Sequence, residues 1–239
     1  MVLSLTIEDV LYPDCDGKPI SDNTLQYKWI VRLKSNIDYL LKDQVAFVAG
    51  DLLWYPVQVK EPPAPCQAPD VLVSFGRPKG ERGSYKQWKE DNIPPQVVFE
   101  ILSPSNTANE MLLKQEFYGT HGVLEMYFYD PDSYDFWGLV RDTRGQDFTT
   151  VAPLNFPWQS PLLGLRFEMF DDGLAVFYPD GRPFEDPVDV LTDLTQAETE
   201  LNRTQLTLKQ VQEEREQVQE ERDRAFAKLQ DMGIDPDAL

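Results

Sequence analysis

Two short apolar runs, VLVSF at 71–75 and VVFEIL at 97–102, each meet a carboxylate, one just before the run and one inside it, where a buried strand can least accommodate it. Both runs are continuous and rich in β-branched residues, the pattern of strands covered on both faces. Pro69-Asp70 leads into the first and Glu100 lies inside the second. Pro-Asp also occurs at 13–14, 131–132, 179–180 and 236–237, so the dipeptide alone signals only a turn; 69–70 is the copy that opens an apolar strand. A glutamate inside a buried strand is costly unless it is paired or ligated. Two such acids at neighbouring strand ends repel one another, and a divalent cation relieves that repulsion. Hard oxygen donors favour Mg2+ or Mn2+. A structural alternative stands beside this one, in which Asp70 caps a turn and Glu100 pairs with an arginine.

The segments around these runs predict a mixed sheet flanked by helices. Residues 22–42 read as an amphipathic helix, with Leu25, Trp29, Leu33, Ile37 and Leu40 at helical spacing and Ser21 or Asp22 as its cap. Residues 45–57 read as extended, and EPPAPCQ as a proline-rich loop. Thr107 and Glu110 fit a capping box for a helix over 107–119, with Gly122 at its far end. VLEMYFYD at 123–130 is a further strand stopped by Pro131, and FWGLV, FTTVA and LAVFY are strands of the remainder, with a PDGR turn before residue 184. The order is helix, three strands, helix, strand, then a strand-rich remainder, which suits an α/β fold.

The last fifty residues differ. Leu194, Leu201, Leu208, Arg215, Arg222 and Leu229 are spaced by seven, and Ala197, Thr204, Val211, Val218 and Ala225 form a second such row. VQEEREQ is followed at once by VQEERDR. This predicts a long C-terminal helix of coiled-coil type, ended by Gly233 and Pro236, with a mostly solvated helix as the alternative. The expected division is a domain over 1–190 and a helical tail over 191–239.

Several chemistries drop out. One histidine excludes His-rich zinc sites. Gly17-Lys18 is followed by proline, so no phosphate-cradling GK[ST] loop is present, and no G-x-S-x-G elbow occurs. His121, at a helix end, reads as a donor facing terminal carbonyls. Cys15 and Cys66 lack metal spacing, the first residues turn acidic early, and no run approaches a membrane helix; a cytoplasmic chain is expected. The net charge is −19. The tail has 12 acids against 6 bases, and the body 29 against 16, which opposes avid binding to nucleic acid through phosphate neutralisation. The most basic stretch, 76–90, holds Arg77, Lys79, Arg82, Lys86 and Lys89 with Tyr85 and Trp88 interleaved. It reads either as a mobile loop gripping phosphates and stacking a base, and so a weak DNA contact, or as a solvated loop with its aromatics packed down.

Pro69-Asp70 before a strand, FEILSPSN at 99–106, and a helix carrying Lys114 and Tyr118 ahead of Gly122-Val123 together resemble the Uma-type predicted restriction endonucleases of the PD-(D/E)XK nuclease superfamily. The resemblance covers roughly 22–180. It implies a restriction-endonuclease-like fold in which Asp70 and Glu100 are metal ligands, the Ile101 carbonyl adds a third, and Mg2+ or Mn2+ supports hydrolysis of DNA phosphodiesters. The motif lysine expected two positions after the glutamate is replaced by Leu102, and Lys114 on the following helix takes its role. Lys114 and Tyr118, four apart, share one helix face. The alternative is a surface lysine at 114 paired with Glu110, and Tyr118 simply core. No acid lies in 24–37, where some members of the superfamily carry one; Asp51 could substitute or be an exposed turn acid. The expected partners are DNA and, through the tail, a second copy or another coiled-coil chain. The competing expectation is a catalytically inactive, nuclease-like interaction protein acting through its tail.

Overall fold

The structure, a computed structural model, describes residues 7–15, 17 and 21–232. Two units are distinguished, the first ending at Pro187 and the second beginning at Val188. In chain order the first unit contains α1 (Ile7–Leu11), α2 (Thr24–Leu40), β1 (Ala46–Gly50), β2 (Trp54–Tyr55), β3 (Val71–Phe75), β4 (Tyr85–Lys86), β5 (Val97–Ile101) and α3 (Ala108–His121). It continues with β6 (Glu125–Tyr129), β7 (Phe136–Val140), β8 (Thr149–Val151), β9 (Trp158–Gln159), β10 (Arg166–Phe170) and β11 (Gly173–Phe177). The second unit is built on α4 (Pro187–Asp231).

Six strands form the main sheet in the order β1-β3-β5-β6-β7-β8. Only β5 and β6 are parallel, so the chain must cross over between them, and α3 is that crossover. The other neighbours are antiparallel. Because successive side chains of a strand point to opposite faces, β5 feeds two cores at once. Val97, Phe99 and Ile101 pack with Trp29, Ile30, Leu33 and Ile37 of α2, and the same core takes in Phe167 and Val176 of a three-stranded sheet, β11-β10-β9. Val98 points the other way, into a core with Leu72, Met126, Phe128 and the α3 residues Met111 and Tyr118. By the same alternation Glu100 lies on the α3 face. Each large aliphatic or aromatic side chain buried in these cores contributes roughly 1.5–3 kcal/mol.

The caps follow the local sequence. Thr107 and Glu110 form the expected capping box, and Gly122 ends α3 with φ at 107°, where a Cβ would also collide with the Arg144 side chain. At α2 the cap is Asn23, not Ser21 or Asp22: its Oδ1 accepts from the Gln26 N–H at 2.8 Å. Asp22 is held elsewhere, by the hydroxyls of Ser103 and Ser105. Leu25 and Leu40, expected on the buried stripe of α2, are only partly covered, and Gln26 and Asn36 are buried in that stripe instead.

Two further expectations change. Residues 76–90 are not a mobile basic loop: they include β4 and a short 3-10 turn, Tyr85 is fully buried, and Trp88 packs on Tyr12. His121 packs against Phe117 and Trp54, and burial pushes its imidazole below the ordinary value, so it is a neutral ring rather than a charged donor. Cys15 and Cys66 are not disulfide-linked. Among the described residues, no helix is long and apolar enough to cross a membrane. In α4 the Leu194, Leu201 and Leu208 row and Val211 and Val218 are exposed. Gly233 and Pro236, the expected helix stop, lie outside the described residues.

Candidate functional site

The β3–β5 register ends at the pair Val71–Phe99; carried on along both chains it would set Asp70 against Glu100 and, one residue further, Pro69 against Ile101. Proline has no N–H to donate, so the ladder cannot continue through that pair. Side chains take over. The Ile101 N–H donates to Asp70 Oδ2 at 2.6 Å, and the Ile101 carbonyl accepts from Gln26 Nε2 at 2.7 Å. The proline of Pro69-Asp70 thus ends strand pairing where the carboxylate is needed.

Both acids face α3. Glu100 is 2% exposed and Asp70 7%. Lys114 Nζ lies 2.6 Å from Glu100 Oε2, and Tyr118, one turn further along α3, donates its hydroxyl to Glu100 Oε1. Asp70, Glu100, Lys114 and Ile101 therefore meet at one end of β3 and β5, although Glu100 and Lys114 are separated by 14 positions and Asp70 and Ile101 by 31. Leu102, which stands in the position of the motif lysine, packs in the α3 core. Tyr118 is core and also a hydrogen-bond donor to the site.

A cleft of about 360 Å³ opens here, lined by Asp22, Gln26, Asp51, Asp70, Asn106 and Lys114 among others. Its electrostatics follow from burial. Desolvation, then the neighbouring Glu100 charge, hold the Asp70 carboxyl well above the usual carboxylate range. Burial by itself would lower the Lys114 amine, but the charges of Glu100 and Asp70 outweigh it and keep the amine above the ordinary lysine value. Burial and Glu100 push the Tyr118 phenol far up, so it remains a donor. Asp51 adds a third charge felt by both Asp70 and Lys114. It sits at the end of β1 with φ at 47°, a left-handed conformation, and its N–H donates to the Asp70 carbonyl at 3.2 Å. It is thus a half-buried cleft residue rather than an exposed turn acid.

Among the described residues, no three His, Cys, Asp or Glu side chains converge as a metal cage. The donor set that does converge is two carboxylates and one carbonyl. That set suits Mg2+ or Mn2+, which are held by one or two carboxylates and retain several waters. A buried carboxyl such as Asp70, whose ionisation is opposed by burial and by a neighbouring charge, is also what a cation would stabilise.

The cations of 76–90 are engaged within the protein. Arg77 and Arg82 both bind Glu90, Arg77 also Asp91, Lys79 binds Asp38, and Lys86 and Lys89 share Glu8. With Tyr85 buried and its hydroxyl on the Ile93 carbonyl, it has no face to offer a base.

The sequence reading missed Gln26. A polar residue three and four positions before Trp29 and Ile30, on the buried stripe of an amphipathic helix, was the available signal. It also missed the tie of Asp22 to the SPSN segment.

The family model for Uma2, described as "Putative restriction endonuclease", matches residues 12–175. No curated protein matches the chain. Among solved structures, the crystal structure of "a putative nuclease belonging to DUF820" from Anabaena variabilis ATCC 29413 is 19% identical, covering 62% of this chain and 79% of that one, with a TM-score of 0.40.

Proposed function

The chain belongs to the Uma2 family of restriction-endonuclease type, and from that premise we propose that it is a divalent-metal-dependent endonuclease of the PD-(D/E)XK kind, hydrolysing DNA phosphodiester bonds. The observation that carries this reading is the meeting of Asp70 and Lys114, which line a cleft, with the buried Glu100 behind them. Asp70 and Glu100 would hold the cation, Mg2+ or Mn2+, with the Ile101 carbonyl as third donor. When bound, such an ion polarises the phosphate and lowers the pKa of water. The rest falls to the chain's own groups. Lys114 stays protonated across neutral pH, so it can orient the attacking water and offset charge building on the phosphorane. Tyr118 fixes the Glu100 carboxylate by donating to it.

The acidic balance and the paired cations of 76–90 favour a second reading: a nuclease-like interaction protein without activity, working through the tail. In either reading we assign the tail, residues 191–239, to self-association or to a coiled-coil partner. Incubation of the purified full chain with plasmid and Mg2+ or Mn2+ separates the two. Cleavage is expected, and loss of cleavage in folded Asp70→Ala, Glu100→Ala and Lys114→Ala. Cleavage that survives all three substitutions eliminates this site, and no cleavage by the wild type under either metal favours the inactive reading.

A further inference from the structure

We propose that Gln26 is a positioning residue for the cation site: its carboxamide supplies the donor that the end of the strand ladder lacks and so fixes the Ile101 carbonyl beside the Asp70 carboxylate. This rests on the metal-site reading above. Gln26 is 6% exposed and lines the cleft. Its Oε1 accepts from the Asp22 N–H at 2.8 Å, and its Nε2 donates to the Ile101 carbonyl at 2.7 Å. The two partners fix which way the amide points, because Asp22 offers only a donor and Ile101 only an acceptor. The backbone N–H of Gln26 is spent on the Asn23 cap, so the side chain alone does the bridging.

The need for it arises from the register. The β3–β5 pairing stops at Val71–Phe99, and Pro69, which the same register would set against Ile101, cannot give the N–H that an antiparallel partner would. Without Gln26 the Ile101 carbonyl would be a buried acceptor at the end of β5, with nothing to set its direction. One hydrogen bond to Gln26 leaves the carbonyl's second lone pair for a cation. A carboxylate at position 26 could accept from Asp22 but could not donate to Ile101, which accounts for an amide standing at this buried position of α2.

The test uses full-length protein and Mn2+ alone, with affinity read by calorimetry and folding by circular dichroism. Gln26→Met keeps length and apolar bulk but removes the donor. Its Mn2+ dissociation constant should rise about tenfold, as losing a partner that orients a ligand does. Asn36→Leu is the control for a merely structural effect. Asn36 is another buried amide of α2, but it serves the Glu185 carbonyl and Tyr178, away from the cleft. It should leave Mn2+ affinity unchanged. Wild-type affinity in Gln26→Met, or equal weakening in Asn36→Leu, overturns the assignment. Should Gln26→Met not fold, the wild type decides: the Gln26 side-chain amide protons should shift in NMR spectra on titration with Mg2+ and not in Asp70→Ala, and an unmoved signal overturns it. Mn2+ binding that survives Asp70→Ala sinks the metal-site reading itself. Binding lost in Asp70→Ala but retained in Gln26→Met sinks only the role of Gln26.

Discussion

Ile101 gives its backbone N–H to the Asp70 carboxylate at 2.6 Å, where an antiparallel partner would have offered a backbone carbonyl. A side chain that closes a strand ladder and also lines a cleft serves two ends, and they separate on substitution. Asp70→Asn retains an acceptor for Ile101 but carries no charge to bury beside Glu100. It should be more stable than the wild type in urea, by about 1 kcal/mol, as substitutions that relieve a functional site commonly are. Saturating Mn2+ at about 100 times its dissociation constant should stabilise the wild type by about 2.7 kcal/mol and leave Asp70→Asn unmoved. A variant less stable than the wild type in urea without metal contradicts this account of Asp70.

Lys114 should behave in the opposite sense. Its side chain is 21% exposed and that of Glu100 3%, so the pair is largely out of water. Lys114→Met leaves Glu100 facing Asp70 with no cation, and the cost should be about 3 kcal/mol. Adding Glu100→Gln in the same chain should recover a large part of it. Chemical denaturation of the two single variants and the double variant measures the coupling, and strict additivity would show that the contact contributes little.

Much of this site was legible because its residues break local rules. A glutamate inside VVFEIL and a capping box at 107–110 are visible in any reading of the chain, and both stand where expected. What was not legible depends on partners far along the sequence. Asp22 looked like the cap of α2, but Ser103 and Ser105, 81 and 83 positions on, take its carboxylate. The cations of 76–90 looked available until Glu8 and Asp38, on other elements, neutralised three of them. Strand β10, RFEMF, escaped notice because only Phe167 of it is fully buried, and Arg166 pairs with Glu168 on its open face. Gln26 was passed over because a buried amide is acceptable only once its two partners are known.

Asp51 offers a measure of strain stored beside the cleft. Its φ of 47° suits glycine, and a side chain there costs roughly 1 kcal/mol. Asp51→Ala and Asp51→Gly remove the carboxylate equally, so the difference between them isolates the backbone. Asp51→Gly should be the more stable of the two by about 1 kcal/mol in urea. Equal midpoints would mean that the left-handed turn carries no such strain.

The segment after β11 is fastened to α2 by charge. Asp186 binds Arg32 at 2.6 Å and Lys28 at 2.8 Å, and the Arg32 contact, with help from Lys28, lowers its carboxyl from the ordinary 3.8 to about 2. A carboxyl lowered by folding contributes stability that is complete above its unfolded value and is lost as pH falls toward its folded one. The advantage of the wild type over Asp186→Asn should therefore be full at pH 5 and shrink between about pH 4 and 2. Solvent screening of the exposed Lys28 limits it to about 1 kcal/mol. A difference that persists unchanged at pH 2 would mean that Asp186 acts through packing.

The tail makes a prediction of its own. At 45 residues α4 extends about 67 Å, far more than a helix needs for local stability. Its first half satisfies threonine hydroxyls on its own carbonyls, as Thr192 does on Val188 and Thr199 on Thr195. Those threonines are satisfied within the helix; Leu194, Leu201 and Leu208 are exposed, and seven-residue spacing keeps them on one seam, the surface a second helix would cover. Arg215 and Arg222 interrupt that seam, so pairing should be strongest before residue 215. Leu201→Lys with Leu208→Lys should turn a dimer into a monomer in sedimentation equilibrium, whereas Arg215→Leu should tighten it. If the number of subunits stays the same after both sets of changes, or after removal of 191–239, the chain does not associate through this helix.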